Sequence, residues 1–165
     1  MTVYNMEYVC HLGVTVTTAY QIGSPSMTKD AMAACTAVPM VMTALNAAVQ
    51  DTLPVSESIA KLYCQAVVNC MQTAGSERKR KNMRNDNVST IQLLLLAMSS
   101  HAASAAVQEN GTNALSSFAY KSPANILDII SLGGLEVLYL AAECQHSTWT
   151  THLRVCMTLY CIALY

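Results

Sequence analysis

Charge is scarce in this sequence, and long apolar runs are missing. Charged residues make up only 12% of the chain and hydrophobic residues 53%, an unusually apolar balance for a protein that works alone in water. The apolar runs at residues 91–98 and 155–165 are shorter than the roughly 18 residues that a spanning helix needs, and the run at 126–142 contains Asp128 and Glu136. No membrane span is therefore expected. The apolar excess instead predicts large contacts with other subunits of an assembly.

Catalytic and cofactor-binding signatures are also missing. The chain has no HExxH pattern, no phosphate-binding loop, no GxSxG nucleophile elbow and no dinucleotide fingerprint. Cys144, His146, His152 and Cys156 are spread across a predicted helix and turn in a way that does not converge on a zinc ion. We therefore predict a non-catalytic protein with no cofactor, no metal site and no small-molecule substrate.

The seven cysteines include no C-x-x-C pair, and their number is odd. Most of them fall on apolar helical faces, where a free cysteine behaves as a small hydrophobic residue. The amino terminus, MTVYNMEYVC, contains Glu7 and lacks the basic start of a secretory signal. These features favour an intracellular, reducing compartment, with the cytoplasm first and the nucleus or an organelle left open.

Helical periodicity is present, and it is clearest between Val88 and Tyr120. This stretch predicts two consecutive helices with the polar break Ser99-Ser100-His101 between them. Apolar residues recur in each helix at the i, i+3, i+4, i+7 spacing of one helical face. The first helix carries Ile91, Leu94, Leu95 and Met98, and the second carries Val107, Gly111, Ala114, Leu115, Phe118 and Ala119.

The helical pattern recurs with a period in the mid to high forties. Residues 114–119 align with residues 66–71 at a shift of 48, and residues 111–120 align with residues 156–165 at a shift of 45. Such a period indicates stacked units of about three helices each.

The predicted helices follow from this spacing. In the first half we expect helices at 7–22, 26–34, 37–49 and 57–73. The helix at 37–49 would face inward with Met40, Val41, Ala44, Leu45 and Ala48, and the helix at 57–73 would have Ser56 as its N-cap. After the pair at 88–120 we expect helices at 124–131, 135–145 and 150–165, with Gly133-Gly134 as a break.

Residues 88–140 resemble the armadillo repeat, in which a helix with an A-L-x-x-L-A-like phrase is followed by a short helix and a Gly-Gly break. The matching positions are Val107-Gln108-Glu109, Ala114-Leu115, Phe118-Ala119, Asn125, Ile129 and Gly133-Gly134. The resemblance implies an all-α, armadillo-like solenoid of about three repeats in one domain, residues 1–165. Its divisions are a partial repeat at 1–23 and repeats at about 24–74, 75–121 and 122–165.

The resemblance also implies where a partner binds. The third helices of armadillo repeats line a concave surface, where one exposed row per helix forms a ladder for an extended chain or a partner helix. The corresponding rows are Lys61, Gln65 and Asn69, then Glu109, Asn113 and Ser117, then Arg154, Thr158 and Ile162. Of the Trp and Asn ladder used by the import receptors of this family, only Asn69 is present, so binding of import signals in that manner is not expected.

Basic charge is concentrated in one segment. Arg78, Lys79, Arg80, Lys81 and Arg84 are five of the nine basic residues, and the chain outside residues 77–86 has four basic against eight acidic residues. Three interpretations are open: a solvated helix and linker, contact with an acidic partner or RNA phosphates, and a nuclear import signal.

These observations together predict a non-catalytic protein–protein interaction or scaffold subunit of a larger assembly. It would bind other subunits through the concave third-helix surface and through exposed end faces. The alternative is an RNA- or ribonucleoprotein-associated subunit that contacts phosphates through residues 78–84. A closed helical bundle with an enzymatic pocket and a membrane-embedded bundle are two further interpretations.

Overall fold

All regular structure in the described part of the chain is helical. The computed structural model describes residues 42–47, 49–50, 53–73, 84–144 and 147–164, and these ranges contain no β-strand. The predicted all-α class is therefore confirmed. A helical segment covers residues 42–47 and 49–50. It is followed by α1 (Glu57–Thr73), α2 (Arg84–Ser100), α3 (Ala105–Ala119), α4 (Pro123–Ser131), α5 (Gly134–Glu143) and α6 (Trp149–Ala163).

The segment that precedes α1 turns inward a face that agrees only in part with its apolar pattern, because Leu45 is buried as predicted but Ala44 is not. Its buried residues are Met42, Leu45, Asn46 and Val49. Ala44 is exposed, so its predicted inward position is wrong. Met40, Val41 and Ala48 of the predicted face lie outside the described residues, as do the predicted helices at 7–22 and 26–34.

Asn46 explains that difference, because it is a polar residue inside the buried stripe. Its side-chain amide donates a hydrogen bond to Thr90 Oγ1 at 2.8 Å, and its Oδ1 accepts one from the Tyr63 hydroxyl at 2.7 Å. Thr90 and Tyr63 are both fully buried. These bonds connect the first segment to α1 and α2. They also satisfy the polar atoms of the amide, which offsets the cost of removing it from water.

Helix α1 begins and ends where the sequence predicts. The backbone N–H of Ile59 donates to Ser56 Oγ at 3.5 Å, and the N–H of Ala60 donates to the Ser56 carbonyl at 2.9 Å. Ser56 is therefore the N-cap. Leu62 is half-buried, and the rest of the predicted stripe is buried: Ile59, Tyr63, Ala66, Val67, Cys70 and Met71.

Helix α3 lies in the middle of the described structure. Its most extensive contacts are with α1 and α6, and it also packs against α2. In contrast, α1 and α6 make no extensive contact with each other, so the three helices follow one another in space in chain order. Gly111 permits the close approach of α2, because a Cβ there would lie 2.5 Å from the Cγ and Sδ atoms of Met98, which is itself buried.

Buried amide side chains close the ends of two helices. Gln108 Nε2 donates to the carbonyl oxygens of Met98 at 2.8 Å and His101 at 3.1 Å, where α2 ends. Asn125 Nδ2 donates to the carbonyl oxygen of Phe118 at 3.0 Å, in the last turn of α3. The last carbonyl groups of a helix have no partner within the helix, so these bonds stabilise both joints.

The predicted Gly-Gly break separates α4 from α5. Gly133 has a φ of +81°, which is a left-handed conformation that favours glycine. A Cβ on Gly134 would lie 2.5 Å from Ile129 Cγ2 and 2.6 Å from the Ile129 carbonyl oxygen. The two glycines therefore allow a turn that brings the start of α5 close against α4.

The length and apolar character of the described helices bear on whether they could span a membrane. None of them alone is both long and apolar enough to cross a bilayer. The bent pair formed by α4 and α5, with 79° between the two helices, could do so by length and composition only.

Candidate partner-binding surfaces

The first predicted row lies on α1 and is progressively buried along the helix. Lys61 is exposed, Gln65 is half-buried and Asn69 is buried. Gln65 Nε2 donates a hydrogen bond to Asn69 Oδ1 at 3.1 Å. Lys61 and Gln65 are therefore the residues of this row with surface available to a partner.

The second predicted row coincides with the least buried side of α3. Glu109, Asn113 and Ser117 are all half-buried, and the opposite side of the helix is buried against its neighbours. The Ser117 hydroxyl donates to the Asn113 carbonyl oxygen at 3.0 Å. This leaves the Glu109 carboxylate and the Asn113 amide as the polar groups that the row presents on α3, beside the half-buried Asn110.

The third predicted row is displaced by one residue on α6. Helices α3 and α6 each contain 15 residues and begin at residues 105 and 149, which is a shift of 44, whereas the sequence alignment used 45. One residue corresponds to a rotation of about 100° around a helix axis. Thr158 is accordingly fully buried, with its hydroxyl donating to the Arg154 carbonyl oxygen at 2.8 Å. The structure thus corrects the expectation that Thr158 is exposed.

Arg154 and Ile162 are half-buried, and the Nε atom of Arg154 is buried without a hydrogen-bond partner. At the shift of 44, Leu153 and Met157 are the α6 residues that correspond to Glu109 and Asn113. Both are exposed. The row, whose role in binding stays a prediction, therefore changes from polar on α1 and α3 to apolar on α6.

Helix α6 exposes a continuous apolar stripe. We define the α6 stripe as Trp149, Leu153, Met157, Tyr160 and Leu164, which are between 42% and 82% exposed. The buried residues Thr151, Val155 and Thr158 lie on the opposite side of the helix. The apolar residues of this stripe recur every three or four positions in the sequence, so the stripe itself could be found there. Its exposure could not, because an apolar face with that spacing is buried in most proteins.

Helices α4 and α5 also expose large apolar side chains. Tyr139 is 62% exposed and Leu127 is 65% exposed. Ile130, Leu135 and Leu140 are exposed to a smaller extent. Together with the α6 stripe, these residues form what we call the C-terminal apolar surface, a set spread over the last three helices.

A separate apolar cavity of about 330 Å³ lies between the loop before α1 and helix α2. The lining residues are Val49, Leu53, Pro54, Val55, Leu93, Leu96, Ala97, Ser100 and His101. His101 is the only titratable residue among them, and its Nε2 atom lies 2.9 Å from the Val55 carbonyl oxygen. Among the described residues, the cavity brings no second titratable group to that imidazole.

The described cysteines are free thiols of two kinds. Burial raises the pKa of Cys64 and of Cys70 to about 12, so neither provides a thiolate near neutral pH. Cys156 is exposed, and Cys144 and Cys161 are half-buried. Within the described ranges, no three histidine, cysteine or acidic residues are grouped so that they could hold a metal ion.

Most of the basic segment lies outside the described residues. Arg78, Lys79, Arg80 and Lys81 belong to that part, and Arg84 is the first residue of α2. The role of the basic segment in binding stays a prediction from the sequence.

Comparison with protein-family models, curated proteins and solved structures gives no match for this chain.

Proposed function

We propose that the chain is a non-catalytic protein–protein interaction subunit of a larger assembly, built as an armadillo-like stack of about three helical units. The order of helix packing supports this proposal. Helix α3 packs between α1 and α6, and α2 packs against α4 and α5, so that elements of successive units contact one another.

The observation that carries the proposal is the C-terminal apolar surface. Trp149, Tyr139 and Tyr160 are each more than 60% exposed. Aromatic residues are enriched at protein interfaces, and contiguous exposed apolar patches mark interaction sites in soluble proteins. A subunit that buries these side chains against its neighbours also accounts for the low charge of the whole chain.

The row across α1, α3 and α6 suits an amphipathic partner segment. One end of the row presents the Lys61 ammonium, the middle presents the Glu109 carboxylate, and the other end presents Leu153 and Met157. An amphipathic helix or extended chain can pair with the charged end and bury apolar residues at the other.

Co-purification of the tagged chain from its native cells tests the proposal. We expect companion proteins in stoichiometric amounts with the wild-type chain, and their loss when Tyr139→Asp introduces a charge into the apolar surface. Gln92→Glu is the matched control, because it adds one negative charge to an exposed position of α2. Absence of companions from the wild-type preparation, or retention of all of them by Tyr139→Asp, Leu127→Asp and Lys61→Glu, would contradict the proposal.

The RNA-associated alternative rests on the concentration of charge at residues 78–84. Each phosphate contact releases bound counterions, so association through the five basic residues of this segment would weaken steeply between 50 and 200 mM salt, by about 10²-fold or more for five contacts. Simultaneous substitution of Arg78, Lys79, Arg80, Lys81 and Arg84 by Gln should then abolish RNA binding. Association that persists in high salt and in this variant favours the apolar surface instead.

A further inference from the structure

The outward face of α6 is uncovered at positions where α3 is covered. At the shift of 44, Leu115 and Ala119 of α3 correspond to Leu159 and Ala163 of α6. The two α3 residues are fully buried, whereas both α6 residues are exposed. Cys156 and Tyr160 are likewise exposed where their α3 counterparts, Thr112 and Ser116, are buried, whereas Leu153 and Met157 correspond to the half-buried Glu109 and Asn113.

The α6 stripe and the adjacent Cys156 form an exposed face whose residues are arranged symmetrically along the helix. Trp149, Leu153, Cys156, Met157, Tyr160 and Leu164 are all exposed. Their positions are mirrored about the midpoint between residues 156 and 157. If a second α6 lies antiparallel across a two-fold axis at that midpoint, Trp149 meets Leu164 of the second copy, and Leu153 meets Tyr160. Such contacts are isologous, because each pair of residues meets twice, once on either side of the axis. Isologous contacts are the rule in two-fold dimers.

The charge of the face permits this pairing. None of its six residues carries a formal charge at neutral pH. Of the two basic residues of α6, Arg154 is half-buried on another side of the helix, and His152 is exposed one turn before Cys156. Two copies can therefore approach without bringing like charges together across the axis.

The area of the face reaches the range for specific interfaces when the face is buried completely. The exposed fractions of the five residues of the α6 stripe add up to about three complete side chains, or roughly 600 Å² at about 200 Å² each. Complete burial in both copies would remove about 1,200 Å² from water, which is the lower limit of that range. Cys156 at the edge of the stripe adds to that area.

We propose that the α6 stripe pairs in antiparallel orientation with α6 of a second copy of this chain, so that the protein is a two-fold dimer. This inference deepens the proposed function, on which it rests, by naming the partner of one part of the C-terminal apolar surface. In the dimer, the amphipathic segment that covers Leu153 and Met157, the apolar end of the row, is α6 of the second copy. Leu127 and Tyr139, on α4 and α5, remain available for other subunits of the assembly.

Light scattering of the purified full-length chain during size-exclusion chromatography tests the dimer. We expect a mass of twice 17.8 kDa at micromolar concentration. Leu153→Asp and Tyr160→Asp should each weaken the dimer by about 30-fold or more, as expected at an interface hot spot. Leu127→Asp is the control, because it places the same charge on α4, which makes no extensive contact with α6, and it should leave the dimer intact.

Cross-linking with a short bismaleimide tests the orientation. Cys156 lies next to the proposed axis, so a Cys156–Cys156 link between copies is expected, identified by peptide mass spectrometry and lost in Cys156→Ser. In that background, Trp149→Cys should not link to itself, because the two residues would lie about 22 Å apart along antiparallel helices. A link between two copies of position 149 would indicate parallel helices and overturn the proposal.

The two proposals can fail separately. The dimer proposal is overturned if the purified wild-type chain is monomeric at about 100 μM. It is also overturned if the variant with both Leu153→Asp and Tyr160→Asp still dimerises and has an unchanged helical circular dichroism spectrum. A monomer that still carries companions through Tyr139 leaves the proposed function standing. A dimer without companions supports the pairing and contradicts the larger assembly.

Discussion

At the scale of single residues, the buried hydrogen bonds of Asn46 are a specific connection within a mainly apolar core. The amide of Asn46 contacts Tyr63 on α1 and Thr90 on α2, at 2.7 and 2.8 Å. Apolar contacts alone tolerate sliding of one helix along another, whereas these bonds form in one register only.

Removal of either partner should therefore destabilise the fold. We expect Tyr63→Phe to lower the free energy of unfolding by about 1–2 kcal/mol, because Asn46 Oδ1 loses this donor within the core. Asn46→Ala, which removes both bonds and leaves a cavity, should cost about 2–3 kcal/mol. Urea unfolding followed by circular dichroism measures both values, with exposed Gln50→Ala as the control. Equal stability of Tyr63→Phe and wild type would contradict this role.

The buried thiols predict a loss of stability in alkaline solution. Burial raises the pKa of Cys64 and Cys70 from the ordinary 9.0 to about 12, so above pH 9 the thiols ionise in the unfolded chain but not in the folded one. The free energy of unfolding should fall by about 1.4 kcal/mol per thiol for each pH unit above 9. Below pH 9 the contribution is fully present and constant.

Urea unfolding at pH 8, 9 and 10 measures this slope. In the variant Cys70→Ala, the part of the pH-dependent loss of stability that comes from the two thiols should fall by about half, because only Cys64 remains. Comparing the variant with wild type removes the effects of other groups that titrate in this range. The same pH dependence in Cys70→Ala and wild type would show that the buried thiols are not its source.

At the scale of helices, elements with strong apolar periodicity could be predicted from the sequence. The bounds of α1, the buried stripes of α2 and α3 and the Gly133-Gly134 break agree with the sequence pattern. Two features could not be predicted. Asn46 lies in a buried stripe because of partners distant in sequence. Thr158 on α6 is buried because α6 begins 44 residues after α3, whereas the predicted row assumed a shift of 45.

The connection between α2 and α3 should depend on Gln108. Its amide donates to two carbonyl oxygens at the end of α2, so Gln108→Ala should lower the free energy of unfolding by about 1–3 kcal/mol. Hydrogen exchange should also accelerate at His101 and Ser104. Gln92→Ala, an exposed substitution on α2, should change stability by about 0.5 kcal/mol or less. Equal effects of the two substitutions would contradict the capping role.

At the scale of the whole molecule, burial is uneven, and local stability should follow it. Helix α3 has nine buried residues and contacts α1, α2 and α6, whereas α5 and α6 have three buried residues each. We expect amide protons of α3 to exchange most slowly and those of α5 and α6 at least about 10-fold faster in a monomeric variant such as Leu153→Asp. Hydrogen exchange with mass spectrometry measures this order, and uniform protection would contradict it.

The candidate site shows the same division between what sequence can and cannot predict. The low charge of the chain predicted exposed apolar surface, and α4, α5 and α6 do expose it. The polar rows on α1 and α3 follow from helical spacing, but Asn69 is buried and bonded to Gln65. How far a side chain projects depends on the neighbouring helix, which the spacing within one helix does not define.

The position of Trp149 has a practical consequence. It is the one tryptophan of the chain, it is 82% exposed, and it opens α6. Its fluorescence therefore reports on water at the helix surface rather than on the core. Any protein that covers this helix, including a second copy, will shift the emission to shorter wavelengths and shield the indole from acrylamide, so that association can be followed in the unlabelled wild-type chain.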